Sequence, residues 1–441
     1  MTSRVLLRFV GLALALGMTA PALAAPPNVV MIISDDQAFG DFSFMGHPQI
    51  RTPNLDRLST QSLTFRRGYV PSSLCSPSLA SILTGLYPHQ HKVTSNDPPL
   101  PAGKVGLAAV RDPGYRAARE EMIANFDRSP SLPKALATRN YQSFQAGKWW
   151  GGNYRHGGFT AGMTQGDPDK GGRHGDEGLK IGRQGMTEVF EFVDKANREK
   201  TPFFLWYAPM MPHSPHTPPA RLLEKYKASA PTLEIAKYWA MCEWFDETCG
   251  QLLDHLDKQG LAENTMVLFL ADNGWIQDPN ADRFAPRSKQ SPNEGGIRTP
   301  IMIRWPGHVV PRVSDQPVLS IDLAPTILTA VGLQPASEMQ GINLLDNDAV
   351  DRRKAIFGEI FTHNAVDIRD PASSLRNRWA VEGDWKLILP APQNTPDTTA
   401  ELYDLAHDPG ETTNLAAQNP EKVEHLKTLI NAWWPATTNR L

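Results

Sequence analysis

Three continuous apolar segments, each followed by a polar cluster, constrain the fold of this chain most. They lie at residues 28–34, 202–207 and 265–271. Apolar runs without alternation are typical of parallel strands that are buried on both faces. The apolar spacing of helices occurs between and around them, at residues 54–61, 78–83, 132–139, 186–197, 220–227 and 238–259. Strands that alternate with helices predict an α/β fold, with a large, mostly parallel sheet flanked by helices on both faces.

The pattern weakens after residue 333, across residues 334–353, and then changes. Short strand-like runs follow at residues 355–361, 379–382, 385–389 and 402–405, before a final helix at residues 421–434. Short strands that follow one another closely favour an antiparallel sheet. We therefore predict two domains, a large α/β domain at residues 25–335 and a small C-terminal α+β domain at residues 336–441.

Two long segments of the large domain lack a clear pattern. Residues 97–131 are rich in proline, glycine and charged residues, and we expect a surface excursion there. Residues 151–185 are richer still in glycine and carry two Arg-His pairs. Loops of this length inside a compact domain are usually functional or disordered. We expect both segments to influence specificity.

The charge balance and the N-terminal residues restrict location and partners. A formal net charge of −3 over 441 residues argues against nucleic acid or membrane-surface binding driven by bulk charge. Residues 1–24 resemble a signal peptide, with Arg4 and Arg8 around an apolar stretch and Ala22-Leu23-Ala24 before the cleavage point. The stretch is shorter than the roughly 20 apolar residues that a membrane span needs. We expect a periplasmic or secreted protein that is not an integral membrane protein.

The three cysteines, Cys75, Cys242 and Cys249, are few for an exported protein that disulfides would hold together. Cys242 and Cys249 fall in one predicted helix, at residues 238–259. Their separation along a helix is roughly 10 Å, which exceeds the limit of roughly 7 Å for a disulfide. We expect both to be buried free thiols, which leaves Cys75 available for chemistry.

The polar clusters after two of the predicted strands supply oxygen ligands. Asp35 and Asp36 follow the first strand, and Asp272 and Asn273 follow the third. Ligands collect at the carboxyl edge of such sheets, and these oxygens suit Ca²⁺ or Mg²⁺ better than Zn²⁺. Each residue alone is equally compatible with an Asx turn or a helix cap. Together they predict a divalent metal site, and four direct oxygen ligands in an exported protein favour Ca²⁺ over Mg²⁺.

Three basic residues follow a glycine, a proline or a strand end that could direct them into the same crevice. They are Lys148, His213 and Lys289. Cleavage of an anionic ester builds negative charge on its oxygens, so fixed cations beside them lower the barrier. Any one of the three is also compatible with a surface role, and only the shared context favours a site.

The run at residues 74–85, Leu-Cys-Ser-Pro-Ser-Leu-Ala-Ser-Ile-Leu-Thr-Gly, places Cys75 just before a predicted helix. It resembles the signature of type I sulfatases, which is Cys-x-Pro-Ser-Arg followed by Leu-Thr-Gly. Other motifs resemble the same family in order and spacing, at residues 28–36, 52–58, 83–89, 271–274, 294–300, 304–307 and 402–415. The resemblance covers residues 28–415 and implies an alkaline phosphatase-like fold.

The resemblance implies a role for each residue of the site. The metal ligands would be Asp35, Asp36, Cys75, Asp272 and Asn273, and a maturation enzyme would oxidise Cys75 to formylglycine. The residues that contact the sulfate and serve the leaving group would be Lys148, His213 and Lys289. One hydroxyl of the aldehyde hydrate would attack sulfur, and collapse of the hemiacetal would release sulfate. A plain thiol lacks the second hydroxyl, so turnover requires the modification.

Two positions depart from the family pattern. Leu79 stands where the signature has arginine, and Trp150 stands where the family's Gly-Lys-Trp-His motif has histidine. The changes remove a fixed cation and a proton carrier, and apolar side chains there would dry the pocket. Candidate replacements lie nearby in sequence at Arg66, Arg67, His89, His91, Arg155, His156, Arg173 and His174. We favour Arg173 and His174, because the glycines around them allow close approach of the backbone to a ligand.

Three functions are compatible with the sequence. The leading hypothesis is a metal-dependent sulfatase that hydrolyses an aryl or carbohydrate sulfate ester, with a sulfated small molecule or saccharide as its partner. The second keeps the fold and the metal but cleaves a phosphate monoester or diester. The third is a noncatalytic protein that binds sulfated ligands. Four tryptophans suit either the core or stacking on sugar rings, with the core favoured for Trp206; they are Trp149, Trp150, Trp206 and Trp275.

Overall fold

The computed structural model describes residues 26–437, and the predicted signal peptide with its cleavage point lies outside this range. The strands are β1 (Asn28–Ser34), β2 (Leu63–Tyr69), β3 (Gln142–Gly147), β4 (Ala161–Gly162), β5 (Phe203–Ala208), β6 (Thr265–Ala271), β7 (Arg298–Arg304), β8 (Arg312–Ser314), β9 (Val318–Leu319), β10 (Ala355–Phe361), β11 (Leu375–Glu382), β12 (Trp385–Pro390) and β13 (Glu401–Asp404). The helices are α1 (Pro53–Thr60), α2 (Cys75–Thr84), α3 (Pro88–His91), α4 (Gly106–Val110), α5 (Pro113–Asp127), α6 (Leu132–Ala137), α7 (Thr187–Glu199), α8 (Ala220–Lys227), α9 (Leu233–Lys258), α10 (Glu294–Ile297), α11 (Leu323–Ala330), α12 (Asn347–Arg352) and α13 (Pro420–Trp433).

Strands β1 to β9 form one sheet in the order β4-β3-β5-β1-β6-β7-β2-β8, with β9 paired to β2. The pairs are parallel except those of β7 with β6 and with β2. The predicted mostly parallel sheet is therefore confirmed. In the centre, β1 pairs with β6 so that Ser34 lies opposite Ala271. The polar clusters that follow the two strands consequently meet at one edge of the sheet.

Two hydrophobic cores cover the two faces of this sheet. Val29, Met31 and Ile33 of β1 pack into one core with α2, α6 and α11. Val30 and Ile32 pack into the other with α1, α7 and α9. Every residue of β1 is buried, which explains why its sequence is continuously apolar instead of alternating.

The C-terminal strands form a separate antiparallel sheet in the order β10-β11-β12-β13. One face packs on α13 through Leu426 and Ile430, and the other packs on the large domain near Tyr69 and Ile297. The predicted small antiparallel sheet is confirmed. The domain boundary at residue 335 stays a prediction.

A buried ion cluster connects this sheet to the large domain. Lys386 of β12 is fully buried, and its Nζ lies 3.0 Å from Glu294 Oε1 and 2.8 Å from Glu411 Oε1. Glu411 Oε2 also accepts the backbone N–H of Glu294 at 2.7 Å. Because Glu294 begins α10, the cluster fixes the segment that follows Lys289. Buried charges need such pairing to offset the cost of leaving water.

The segment at residues 97–131 is not the surface excursion that we predicted, because it contains α4 and the 15-residue α5. Asp112 caps α5 by accepting the N–H of Gly114 at 2.8 Å. The helix buries Tyr115, Met122 and Phe126 and leaves Arg116 and Glu120 exposed. A high density of charge concealed this apolar stripe. The glycine-rich segment at residues 151–185 has only β4 and short 3₁₀ turns, as expected.

The start of α2 also differs from the prediction of residue 78, since the helix begins at Cys75 itself and all ten of its residues are buried. Strands β2, β3 and β7 were not predicted. Charged residues interrupt the apolar pattern of β2, and a proline interrupts that of β7.

All three cysteines are unpaired and buried, which confirms the expectation for Cys242 and Cys249. Within residues 26–437 no helix is both long and apolar enough to cross a membrane.

We expect Asp246→Ala to destabilise the protein, since Asp246 of α9 caps the first turn of α1 across the core. Its Oδ1 accepts the N–H of Leu55 at 2.8 Å and its Oδ2 accepts that of Asn54 at 3.1 Å. Unpaired buried N–H groups would cost about 1–3 kcal/mol of unfolding free energy. Urea denaturation measures the change. In the same helix, Asp254 pairs with Arg57 at the surface, so Asp254→Ala should cost less than about 1 kcal/mol; equal losses would contradict the prediction.

Candidate active site

The register of β1 and β6 gathers three carboxylates and one amide. Asp36 donates its N–H to Asp272 Oδ1 at 3.1 Å, and Asn273 Nδ2 donates to Asp36 Oδ1 at 2.7 Å. Asp35, Asp36, Asp272 and Asn273 are each no more than 2% exposed. The chain turns at Asp36 with φ of 61°, a left-handed conformation that aspartate tolerates better than most residues. The four residues predicted as metal ligands therefore share one buried site.

Three oxygen atoms of this group are buried without a hydrogen-bond partner among the described residues. They are Asp35 Oδ2, Asp272 Oδ2 and Asn273 Oδ1. A buried acceptor without a partner costs about 1–3 kcal/mol, so a bound cation would satisfy what the protein does not. Carboxylate and amide oxygens are the ligands of Ca²⁺ and Mg²⁺. The residues present thus fit a hard divalent cation.

Cys75 lies beside this group at the first residue of α2. Its Sγ is 4.0 Å from Asp36 Oδ1, and ligand atoms of Asp35, Asp36, Cys75 and His213 all lie within 4.8 Å of one another. Burial raises the pKa of the Cys75 thiol to about 11, although Lys148 and Lys289 oppose the shift. The unmodified side chain is consequently a neutral thiol at physiological pH and a weak nucleophile.

Two lysines offset part of the negative charge of the carboxylates. Lys148 Nζ lies 2.5 Å from Asp35 Oδ1 and 3.5 Å from Asp272 Oδ2, and Lys289 Nζ lies 2.7 Å from Asp36. Both are at least nine-tenths buried. Burial alone would raise the pKa of Asp36, but Lys289, His213 and Lys148 together hold that pKa below its usual range. Burial and the charge of Asp35 raise the pKa of Asp272 instead.

His213 faces the same group from the segment after β5. Its Nδ1 lies 2.6 Å from the carbonyl oxygen of Ser214 and therefore donates to it. Its Nε2 is then unprotonated in the neutral ring and points to Asp36 Oδ2 at 3.3 Å. Burial lowers the pKa of His213, against the pull of Asp35 and Asp36. A neutral imidazole beside a carboxylate can accept or return a proton.

The predicted catalytic residues open into one cavity of about 300 Å³. Its wall contains Cys75, Lys148, His213 and Lys289 together with Leu79, Trp150, Arg173, His174, Trp275, Phe284 and His363. Trp206 lies in the core, as expected, and so does Trp149, whereas Trp275 lines the cavity. His363 comes from the C-terminal domain and carried no motif that would have identified it. The structure therefore brings together every residue that the sequence analysis assigned to the site.

The two departures from the motif also line this cavity. Leu79 is 1% exposed and Trp150 is 5% exposed, and the Trp150 ring packs 5.1 Å from that of Phe126 and 4.7 Å from that of Trp149. Of the candidate replacements, Arg173 and His174 line the cavity. The others have partners elsewhere: Arg66 with Asp315, Arg67 with Asp384, His89 with Glu359, His91 with Ser81, Arg155 with the Tyr154 ring, and His156 with Asp127.

The family relationship follows from two matches to known families. Residues 27–333 match the family Sulfatase, and residues 288–433 match the family N-sulphoglucosamine sulphohydrolase, C-terminal. Because the first match covers more than half of the chain, this protein belongs to the sulfatase family. Its relatives are sulfuric ester hydrolases, and the same class of reaction is assigned to this chain.

Known proteins resemble the chain over most of its length. Human arylsulfatase A is 29% identical over 95% of this chain and 89% of its own length. Human N-acetylgalactosamine-6-sulfatase is 29% identical over 75% of this chain and 67% of its own length. The solved phosphonate monoester hydrolase of Agrobacterium radiobacter is 19% identical, with a TM-score of 0.68 over 94% of this chain and 97% of that one. The last likeness shows a shared fold, which does not by itself choose between sulfate and phosphonate.

We expect Asp272→Asn to weaken Ca²⁺ binding by more than about tenfold. In the wild type, the raised pKa of Asp272 means that an ion displaces a proton, so Ca²⁺ affinity should increase as pH rises through neutrality. Isothermal titration calorimetry in buffers of different ionisation enthalpy measures both effects. The control is Asp315→Asn, which changes a surface partner of Arg66 and should leave affinity unchanged. An affinity that is independent of pH, without proton release, would contradict this prediction.

Proposed function

We propose that this protein hydrolyses the sulfate ester of a saccharide or aryl alcohol through Cys75 that has been converted to formylglycine. The observation that supports it is the position of Cys75 Sγ, 4.0 Å from a buried carboxylate, in a cavity that the two buried lysines of the site also line. A plain thiol there would lack the second hydroxyl through which the hydrate releases sulfate, and without the ion, burial raises its pKa to about 11. A modified side chain at the N-terminus of α2 would remove this obstacle.

A divalent cation, preferably Ca²⁺, would be held by Asp35, Asp36, Asp272 and Asn273 beside residue 75, with Mg²⁺ as the second choice. When bound, it would act as a Lewis acid that polarises oxygen. Three carboxylates against two ammonium groups and one divalent ion leave a single positive charge. A sulfate monoester carries a single negative charge, so the site and the substrate would balance each other.

The protein's own residues would perform the remaining steps. Lys148 and Lys289 are fixed by carboxylates and directed into the cavity, where they would stabilise charge on the sulfate and leaving oxygens. His213 Nε2 would move the proton at the leaving group. Trp275 and Phe284 offer aromatic surface at the cavity, which suits a sugar or aryl ring.

We also propose a maturation enzyme as a partner and export to the periplasm or beyond. Support for export comes from the signal-like residues 1–24, with their basic start and small residues before position 25. The relative human N-acetylgalactosamine-6-sulfatase acts, by its name, on a sulfated amino sugar. A sulfated saccharide is the substrate class that we favour for this chain.

We expect Cys75 to be found as formylglycine in protein purified from its native host. Trypsin releases it in the peptide of residues 68–92, whose mass distinguishes the aldehyde from the thiol. The matured protein should hydrolyse an aryl sulfate, and Cys75→Ala should reduce kcat below detection without unfolding. Cys242→Ala is the matched control, because this cysteine is buried in α9. A matured protein that is inert toward sulfate esters would leave the noncatalytic, sulfated-ligand-binding alternative.

The charge of the site predicts preference for sulfate over phosphate. A phosphate monoester carries about two negative charges at neutral pH, one more than the metal-loaded site would balance. We expect kcat/KM for an aryl sulfate to exceed that for the matching aryl phosphate by at least about tenfold, since differential transition-state binding sets the ratio. Steady-state kinetics with both esters measures it. A ratio in favour of phosphate would replace this proposal with the phosphohydrolase alternative.

A further inference from the structure

One side of the cavity carries no charge because of Leu79 and Trp150. Both are buried and both line the cavity. Trp150 Nε1 has no hydrogen-bond partner among the described residues, and Leu79 belongs to the core around α2. An anionic substrate against this wall therefore needs a cation that another element supplies.

A glycine turn at residues 171–175 brings Arg173 and His174 to this wall. Trp149 donates its N–H to the carbonyl oxygen of His174 at 2.9 Å, which anchors the turn beside Lys148. A Cβ at Gly175 would lie 2.7 Å from the carbonyl oxygen of Gly147, and φ of Gly175 is +132°. The close approach therefore requires glycine at this position. The turn is built against the end of β3 and is not a free loop.

Asp97 fixes the direction of the Arg173 side chain. Arg173 Nε donates to Asp97 Oδ1 at 2.6 Å, and Nη2 donates to Asp97 Oδ2. Asp97 is 4% exposed, and its Oδ1 also accepts from the Tyr115 hydroxyl at 2.9 Å. Its backbone is held in turn by Ala365, whose N–H donates to the Asp97 carbonyl at 2.8 Å. A bidentate pair of this kind fixes the guanidinium plane.

His174 and the remaining donors complete the arrangement. Arg173 Nη1 lies 2.7 Å from His174 Nε2; since guanidinium only donates, Nε2 accepts and the proton of the ring is on Nδ1. Burial and Arg173 lower the pKa of His174 to about 2, so the ring is neutral. Three of the five N–H bonds of Arg173 are then engaged. Two have no partner among the described residues, and Arg173 lines the cavity.

Arg119 of α5 holds the glycine turn through its carbonyl groups. Its Nη2 donates to the carbonyl oxygens of Trp150 at 2.8 Å and Arg173 at 3.2 Å. Asp97 offsets the charge of Arg173, so the pair can direct hydrogen bonds to an anion without changing the net charge of the site. These bonds are stronger in a partly buried cavity than in water.

We propose that Arg173 contacts the sulfate group of the substrate and replaces the cation that is missing at residue 79, with Asp97 and His174 as its positioning residues. The identity of the anion rests on the proposed function. The anion site itself is defined by the geometry of Arg173, Asp97 and His174. It can be tested by a binding measurement, without turnover.

The test measures binding of inorganic sulfate to the Ca²⁺-loaded Cys75→Ala protein by calorimetry. We expect Arg173→Gln in that background to weaken sulfate binding by at least about tenfold, because the variant loses charge-assisted hydrogen bonds to the anion. Arg173→Lys keeps the charge but loses the planar guanidinium group, so its sulfate affinity should lie between those of the parent and of Arg173→Gln. It replaces Arg173→Gln in the test if that variant does not fold. Arg155→Gln is the matched control, because Arg155 is exposed and lies over the Tyr154 ring. It should bind as the parent does.

A rescue experiment gives a second readout. Leu79→Arg added to Arg173→Gln should restore sulfate affinity, because either guanidinium would serve the same wall. Unchanged affinity in both Arg173 variants, or an equal loss in Arg155→Gln, would overturn the inference. If the matured wild type turns over aryl sulfates while Arg173→Gln retains kcat/KM, the inference fails and the proposed function stands. If Arg173→Gln loses sulfate affinity but the matured wild type is inert, the proposed function fails and the anion site stands.

Discussion

Burial of three carboxylates at the end of two paired strands is the constraint on which the rest of the structure depends. Asp35, Asp36 and Asp272 are withdrawn from water where their mutual repulsion is strong. The large sheet, the loops that deliver Lys148 and Lys289, and the start of α2 all place groups that offset this repulsion. The remaining orphan oxygens give the site its preference for a hard cation. The repulsion that destabilises the site without an ion is thus also the reason that the site would bind one.

Much of the site could be predicted because its residues sit at strand ends, where local sequence determines position. Asp35 and Asp272 follow apolar runs that are buried on both faces, and parallel register brings such ends together without further information. Strand β7 and helix α5 were missed for the opposite reason. Pairing with distant strands stabilises β7, and α5 hides a narrow apolar stripe among charges. His363 enters the cavity from another domain, which no local pattern reports.

Under our proposals, the site would keep its metal ligands while its anion contact moves to another element. Leu79 and Trp150 supply packing to the core around α2 and Phe126. The charge that they lack is carried by a glycine turn, whose course is fixed by backbone contacts to β3. The C-terminal domain contributes as well, since Ala365 holds Asp97 and Lys386 holds the segment after Lys289.

The complete burial of α2 has a consequence for the order of events in the life of the chain. All ten residues of the helix are buried, with Cys75 at the wall of the cavity. Another enzyme that reads several residues around this cysteine would need them extended and in its own cleft, which the finished fold does not allow. If Cys75 is matured by such an enzyme, as we propose, its oxidation would therefore have to occur on the nascent or unfolded polypeptide. Under that proposal, molecules that fold before they meet the enzyme would keep Cys75 as a thiol.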